Sequence, residues 1–522
     1  MAGLPLILLV LGALAVTAVS RRFSLPAPLA LVVAGLAVSA IPGVPDYQLD
    51  PDLVLYAILP PLLYSAALDS STIQIRANIR PIGLHAVGLV LFTTACVGLV
   101  AWWLVPGLPL PAALALAAVV APPDAVAATA IGRRLGLPRR VMTVLAGESL
   151  FNDATALTAL RVAVAATAGA GFSLWSGLGE FLLVGVGGVA MGAVLGRVVH
   201  QVRLRLSDPK LESALGLVVP FAAYALAEQV HLSGVLAVVV TGLYLGHHAP
   251  QAGYATRLQD QAVWQAADTV LEAFVFALIG LQLPAVARGV GDIGPLLVVA
   301  LAVIGTAVLA RVVWVFPATY LPRMLFSRVS ARDPAPPWQV PAVISWAGMR
   351  GVVTLAAAFS IPLVTNSGAP FPGRAEIIFI AFCVTVGTLL LHGLTLPRVI
   401  RHLGVEGRES HGDALAEAAA IHAATQAALD RLESVSDGAP ESVTTRLRRA
   451  AEHRSNSVWE RLGRPETELG EAPSVIYRRL RLEMLAAERE TLVGLRDAGR
   501  IDDEVLSRTL QELDLEEAML SR

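Results

Sequence analysis

The stretch GESLFNDATALTAL, residues 147–160, sets Glu148, Asn152 and Asp153 in a run that is otherwise small or apolar. Whether that run lies in water or in lipid decides the fold. Composition answers it. The chain has 522 residues, of which 55% are hydrophobic and 15% charged, with a mean hydropathy of +0.65. Soluble domains carry roughly 45–50% apolar and about 25% charged residues. The chain therefore reads as an all-α polytopic membrane protein, and the acids of residues 147–160 read as intramembrane groups.

Working outward, a helix needs roughly 20 apolar residues to cross about 30 Å of hydrocarbon. By that measure about thirteen spans centre on residues 4–20, 26–42, 51–69, 81–105, 109–131, 139–165, 179–202, 211–228, 231–248, 262–283, 293–321, 339–363 and 375–399. The first lacks a positive segment ahead of it and is followed by Arg21 and Arg22, so it reads as a transmembrane helix, not a cleaved leader. Most loops after odd-numbered spans are basic: RRFS at 21–24, IRANIR at 75–80, GRRLGLPRR at 132–140, VRLRLSDPK at 202–210 and RMLFSRVSARD at 323–333. Loops after even-numbered spans are short, acidic or neutral, such as PDYQLDPD at 45–52 and PGLP at 106–109. The positive-inside rule then places the N-terminus outside and the C-terminal residues in the cytoplasm. An odd number of spans requires the same.

Residues 1–400 form the membrane domain in this reading, and 401–522 a helical cytoplasmic tail without a span, broken at SDGAP, 436–440. A solvated helical appendage or dimer contact is the plain reading of the tail; a regulatory surface is the alternative. The net charge of −2 and a pI near 6.6 offer nothing to a nucleic-acid partner. Cys96 and Cys383 sit in apolar runs without ligand spacing, so neither a disulfide framework nor a metal site is expected.

An ionisable group at the bilayer centre costs between about 2.5 and 17 kcal/mol depending on the method, so such residues face the protein interior and mark a pathway. They are Asp124, Glu148, Asp153, Glu272, Arg311 and Arg350. Asp268 and His392 lie nearer span ends and read as interfacial. Glu148 and Asn152, four apart, share a helix face; Asp153 is turned about 140° from Glu148. The two acids need not do the same job. Glu148 is expected to meet a cation, Arg311 or Arg350, in a structural ion pair, because buried charges survive mainly when paired. Asp153 is then free to face a cavity.

Two spans hold irregular backbone at mid-depth. Pro122 and Pro123 remove two N–H donors just before Asp124, and Gly348 and Gly351 bracket Arg350. Unwound helix is tolerated in a bilayer only where protein or water covers it. Broken helices with an acid at one break and a cation at the other suit a transporter, the acid facing helix N-termini and the cation facing exposed carbonyl ends. A carboxyl group withdrawn from water protonates nearer neutrality, and so can hold a proton or a small cation by turns. Oxygen ligands for a hard monovalent ion are at hand: carboxylates of Asp153 and Asp124, the amide of Asn152, and the hydroxyls of Ser149 or Thr155. One aspartate trading one proton for one cation moves no net charge.

GESLFNDATAL, with PPDAVAATAIGRRLGLPRRV at 122–141 and GMRGVVTLAAAF at 348–359, resembles the electroneutral sodium/proton antiporters of the cation/proton antiporter superfamily, the NhaP-like branch. The resemblance spans roughly residues 1–400. It implies an inverted-repeat fold in which the fifth and twelfth spans are crossing broken helices, a homodimer, and residence in the plasma membrane, with a role in pH and cation homeostasis. It further implies Asp153 as the ion- and proton-binding carboxylate, Asn152 as its neighbour, Asp124 as the second acid and Glu148 in an ion pair with an arginine. Na⁺, or Li⁺ or K⁺, and H⁺ are then substrates of Asp153 and Asp124, and no cofactor is implied. One departure stands out: many relatives have Thr before the fifth-span Asp and Pro after it, whereas Pro123 and Ala125 flank Asp124 here. The rival readings are an intramembrane aspartyl protease using Asp124 and Asp153, which would need GxGD where FND stands, a Ser149-based membrane protease lacking a mid-span histidine partner, and a cation channel.

Overall fold

Each apolar run becomes a helix, because backbone with no water to bond must bond within itself. The computed structural model describes residues 3–23, 25–42, 51–168, 174–206, 208–405, 409–436, 439–462, 473–498, 500 and 502–520. The chain divides into two compact units, Met1–Gly407 and Arg408–Arg522. In the first, α1 (Gly3–Arg22), α2 (Ala27–Ser39), α3 (Leu53–Leu68) and α4 (Ile79–Leu104) precede a broken pair, α5 (Leu110–Val120) and α6 (Ala125–Arg134). Then come α7 (Arg139–Thr167), α8 (Leu174–Arg203), α9 (Pro209–Gln229), α10 (Gly234–His248), α11 (Tyr254–Leu281) and α12 (Ile293–Leu325). A second broken pair, α13 (Gln339–Trp346) and α14 (Val352–Phe359), leads to α15 (Arg374–Leu403). Every apolar segment of the sequence holds helix, and among the described residues seven helices are long and apolar enough to cross a membrane.

Burial is arranged for lipid. Leu182, Leu183, Val186, Val194 and Val198 of α8 are exposed, as are Val298, Leu301 and Leu309 of α12. The interior holds the polar groups instead. α5 lies at the centre, with Ala112, Ala113 and every residue from 115 to 120 buried; its small side chains let α4, α7, α14 and α15 close around it. α2 and α11 also cross backbone to backbone: a Cβ on Gly35 would lie 2.5 Å from the carbonyl oxygen of Ala277, and one on Gly280 2.4 Å from that of Val32.

At one end of the unit Asp333 gathers the basic loops. Its carboxylate accepts hydrogen bonds from Arg80 Nη2 at 2.9 Å, Arg140 Nη2 at 2.6 Å and Arg323 Nη2 at 2.7 Å. The second unit holds α16 (Glu409–Val435), α17 (Glu441–Leu462), α18 (Pro473–Asp497) and α19 (Asp503–Leu520). Arg481 of α18 grips Glu516 of α19 with both ends of its guanidinium, at 2.7 and 2.8 Å. Arg489 Nη2 donates to Asp514 Oδ1 at 2.7 Å and to Glu517 Oε2 at 2.6 Å.

Candidate functional site

The prolines act where the sequence placed them. α5 stops at Val120, residues 121–124 are non-helical, and α6 restarts with Asp124 as its cap, Oδ1 accepting from Val126 N at 2.8 Å. The glycines act likewise: residues 347–351 are non-helical between α13 and α14. The two breaks touch. Asp124 N donates to Met349 O at 2.7 Å, and an added Cβ on Gly351 would fall 1.9 Å from Asp124 Oδ2. The absence of a side chain at Gly351 is what lets the Asp124 carboxylate lie between the two restarting helices.

Arg350 serves the carbonyl ends. It is 1% exposed, and its Nε donates to Val120 O at 2.9 Å, Nη2 to Ala121 O at 3.3 Å and Nη1 to Gly348 O. One guanidinium thus satisfies the C-terminal carbonyls of α5 and the frayed backbone after α13, where the helix dipoles are negative. Its own backbone N–H donates to Thr388 Oγ1 of α15 at 3.1 Å.

α7 lies against this crossing. Asn152 is fully buried; its Nδ2 donates to Pro123 O at 2.7 Å, and among the described residues its Oδ1 has no partner. Asp153 is 8% exposed, and among the described residues its carboxylate has no hydrogen-bond or ion-pair partner. The half-buried Asp124 is close enough for its charge to act on Asp153. Ser149, four residues before Asp153, shares its face and is half-buried. Thr155 is buried but continues the face of Glu148 and Asn152, since two residues along a helix is about 200° of turn.

Glu148 faces away from that centre. Its two oxygens take Arg311 Nη1 at 2.5 Å and Nη2 at 2.9 Å, while Arg311 Nε donates to Ile344 O at 3.1 Å. Of the two arginines open to Glu148 in the sequence, the structure pairs it with Arg311, on α12; Arg350 spends its donors on backbone and is no part of the ion pair. His85, passed over in the sequence, stands 3.6 Å from Glu148 Oε2. The signal was there, a histidine near the start of an apolar span. His392 is 1% exposed and lies edge-on to Trp346 with ring centroids 5.2 Å apart. Asp268 is half-buried and accepts a hydrogen bond from Ser65 Oγ at 2.7 Å; Glu272, one turn on, is half-buried too.

The sodium/hydrogen exchanger transmembrane family matches residues 6–402 of the chain. The chain belongs to that family. An uncharacterized Na(+)/H(+) exchanger of Mycobacterium tuberculosis is 36% identical over 99% of this chain and 96% of its own length. Exchanger YjcE of Escherichia coli is 30% identical over 95% of this chain and 94% of its own. The sodium, potassium, lithium and rubidium/H(+) antiporter of Bacillus subtilis is 31% identical over 75% of this chain and 60% of its own. The solved sodium proton antiporter MjNhaP1 of Methanocaldococcus jannaschii shares the fold, with a TM-score of 0.59 at 18% identity over 76% of this chain and 97% of that one. As a member of the exchanger family this chain is a multi-pass antiporter and not an enzyme, and the protease reading of Asp124 and Asp153 falls.

Proposed function

We propose that the chain exchanges one Na⁺ for one H⁺ across the plasma membrane by alternating access, and that Asp153 is the carboxylate the two cations occupy in turn. Protonated Asp153 releases H⁺ to one side; its carboxylate then binds Na⁺ from that side, carries it across and is reprotonated opposite. Asp124 supplies a second carboxylate oxygen, Asn152 Oδ1 an amide oxygen and Ser149 a hydroxyl; Thr155, on another face, is the weakest member of the set. Glu148 and Arg311 form the structural pair, and Pro122, Pro123, Gly348 and Gly351 open the two breaks. The observation that carries this reading is that Asp153, alone of the buried acids of α7, is without a partner, while Glu148 is paired and Asp124 caps α6.

The N-terminus is placed outside, residues 1–400 form the antiporter domain, and residues 401–522 form a cytoplasmic tail. The protein functions as a homodimer in pH and cation homeostasis. Li⁺ and K⁺ are the alternative cargo, because Pro123 stands where a hydroxyl would otherwise face the ion and its carbonyl is already taken by Asn152. The test is a proteoliposome assay in which a Na⁺, Li⁺ or K⁺ gradient is imposed and internal pH followed. Cation-dependent alkalinisation that Asp153→Asn abolishes is expected; proton flux untouched by that change would refute the assignment.

A further inference from the structure

Away from Asp153, where α8 and α10 end, imidazoles gather. His200 and His248 lie with ring centroids 4.6 Å apart, Tyr244 stacks on His248 at 4.4 Å, and His247 stands edge-on to it at 5.1 Å. Some nitrogens are committed: His248 Nδ1 pairs with Tyr244 O at 2.8 Å and His247 Nδ1 with Thr72 Oγ1 at 2.9 Å. Beside them opens a cavity of about 150 Å³, lined by His200, Arg203, Glu212, His248 and Gln251 with leucines between. Among the described residues no three His, Cys, Asp or Glu side chains are placed to hold a metal ion, so these rings are not a metal site.

Arg203 forms one wall. Its Nη2 is held by Asp260 Oδ2 at 3.3 Å and by Glu212 O at 3.2 Å, but its Nε is buried without a partner. A guanidinium N–H can only donate, so among the described residues Arg203 is left with a donor unanswered. The charges facing the rings are those of Arg197 and Arg203 on α8, Glu212 on α9 and Asp260 on α11. They balance when the imidazoles are neutral. Protonation of His200 and His248 leaves the cavity with two positive charges in excess.

We propose that this cavity binds a tetrahedral phosphate oxyanion, held by the guanidinium of Arg203 and by protonated His200 and His248. A lipid headgroup and free phosphate offer the same oxygens. Leu204 in the wall and Val202 and Leu211 nearby are exposed to the surroundings, so a headgroup phosphate has an apolar approach.

The test uses the full chain in detergent, with its thermal midpoint followed at pH 6 and pH 8. Sodium phosphate is compared with sodium chloride at matched Na⁺ and ionic strength, and phosphatidylglycerol with phosphatidylcholine in mixed micelles. Stabilisation is expected at pH 6 with a half-effect concentration at least about tenfold below that at pH 8, the ratio for losing one charge-assisted hydrogen bond, which losing both would exceed. Generic attraction predicts the reverse for phosphate, which is the more negative at pH 8. The combined changes His200→Gln and His248→Gln should remove the gain; should that protein not fold, each single change is measured in its place. Asp153→Asn should leave the gain intact, which separates this site from the exchange site. Response to phosphatidylglycerol alone identifies a lipid phosphate, and response to phosphate alone the free anion. No response to either, or a response that survives the histidine changes, overturns the proposal.

Discussion

At the scale of single residues, two acids a turn apart on α7 have opposite fates because of what faces them. Glu148 meets a bidentate guanidinium; Asp153 meets a crossing of broken backbone. Removing one partner of a buried pair leaves the other charge stranded, at a cost of about 3–5 kcal/mol. Glu148→Gln is therefore expected to lower the thermal midpoint and folded yield well before it weakens cation binding; normal yield with binding lost would reverse the two roles. Gly351→Ala tests the opposite case. The new methyl would occupy the place of Asp124 Oδ2, so exchange should fall at least about tenfold, as ångström-scale misplacement does in other sites. Unchanged exchange rates in that variant would show that Asp124 need not sit between the two breaks. The sequence made Asp124, Asn152 and Asp153 legible because each is polar where lipid allows little. It could not choose between Arg311 and Arg350, since that pairing joins residues more than 160 apart and depends on which way each span is turned. Nor could periodicity show that Arg350 would bond the carbonyls of Val120 and Ala121 instead of an acid.

At the scale of elements, the breaks were readable from Pro122, Pro123, Gly348 and Gly351, whereas their mutual contact, Asp124 N to Met349 O, was not. Proline and glycine act locally through their own backbone; which break meets which is settled by packing. The basic loops show the same division. Their positive charge was read as a statement about sidedness, yet three of them also converge on Asp333, tying the starts of α4 and α7 to the end of α12. Burial pushes the Asp333 carboxyl upward, but hydrogen bonds from Arg140 and Arg323 outweigh that and hold it below the usual carboxylate range. A depressed carboxylate stabilises the fold fully above its unfolded value, near 3.9, and the contribution fades as pH falls through the folded value. Asp333→Asn should thus cost about 1–3 kcal/mol at neutral pH, as loss of hydrogen bonds to charged groups does. The gap to the parent should narrow in acid. Unfolding midpoints measured from pH 7 downward check this, and a gap that widened in acid would mean that the arginines do not favour ionised Asp333.

At the scale of the whole molecule, the partition of charge states what a transport cycle can carry. Among the described residues Asp153 is the one buried acid of α7 without a partner, and Asn152 beside it cannot ionise. Loaded with Na⁺ or with H⁺ the carboxylate is neutral either way. On the proposed exchange, whatever fixed charge Arg350 and Asp124 carry would move equally in both directions, so a full turn would transfer nothing against the field. Moving one elementary charge across 100 mV is worth about 2.3 kcal/mol, or roughly a fiftyfold change in an equilibrium ratio. A one-for-one exchanger has a null point at which the Na⁺ ratio equals the H⁺ ratio, whatever the potential. Vesicles set at that point should show no net proton movement at zero potential or with 100 mV imposed by valinomycin and a K⁺ gradient, with K⁺-only vesicles correcting for any K⁺ exchange. Were the null point to shift by a large part of fiftyfold, a second titrating group would have to move with Asp153. Asp124, the nearest acid at the crossing of the breaks, would be the first to replace with asparagine.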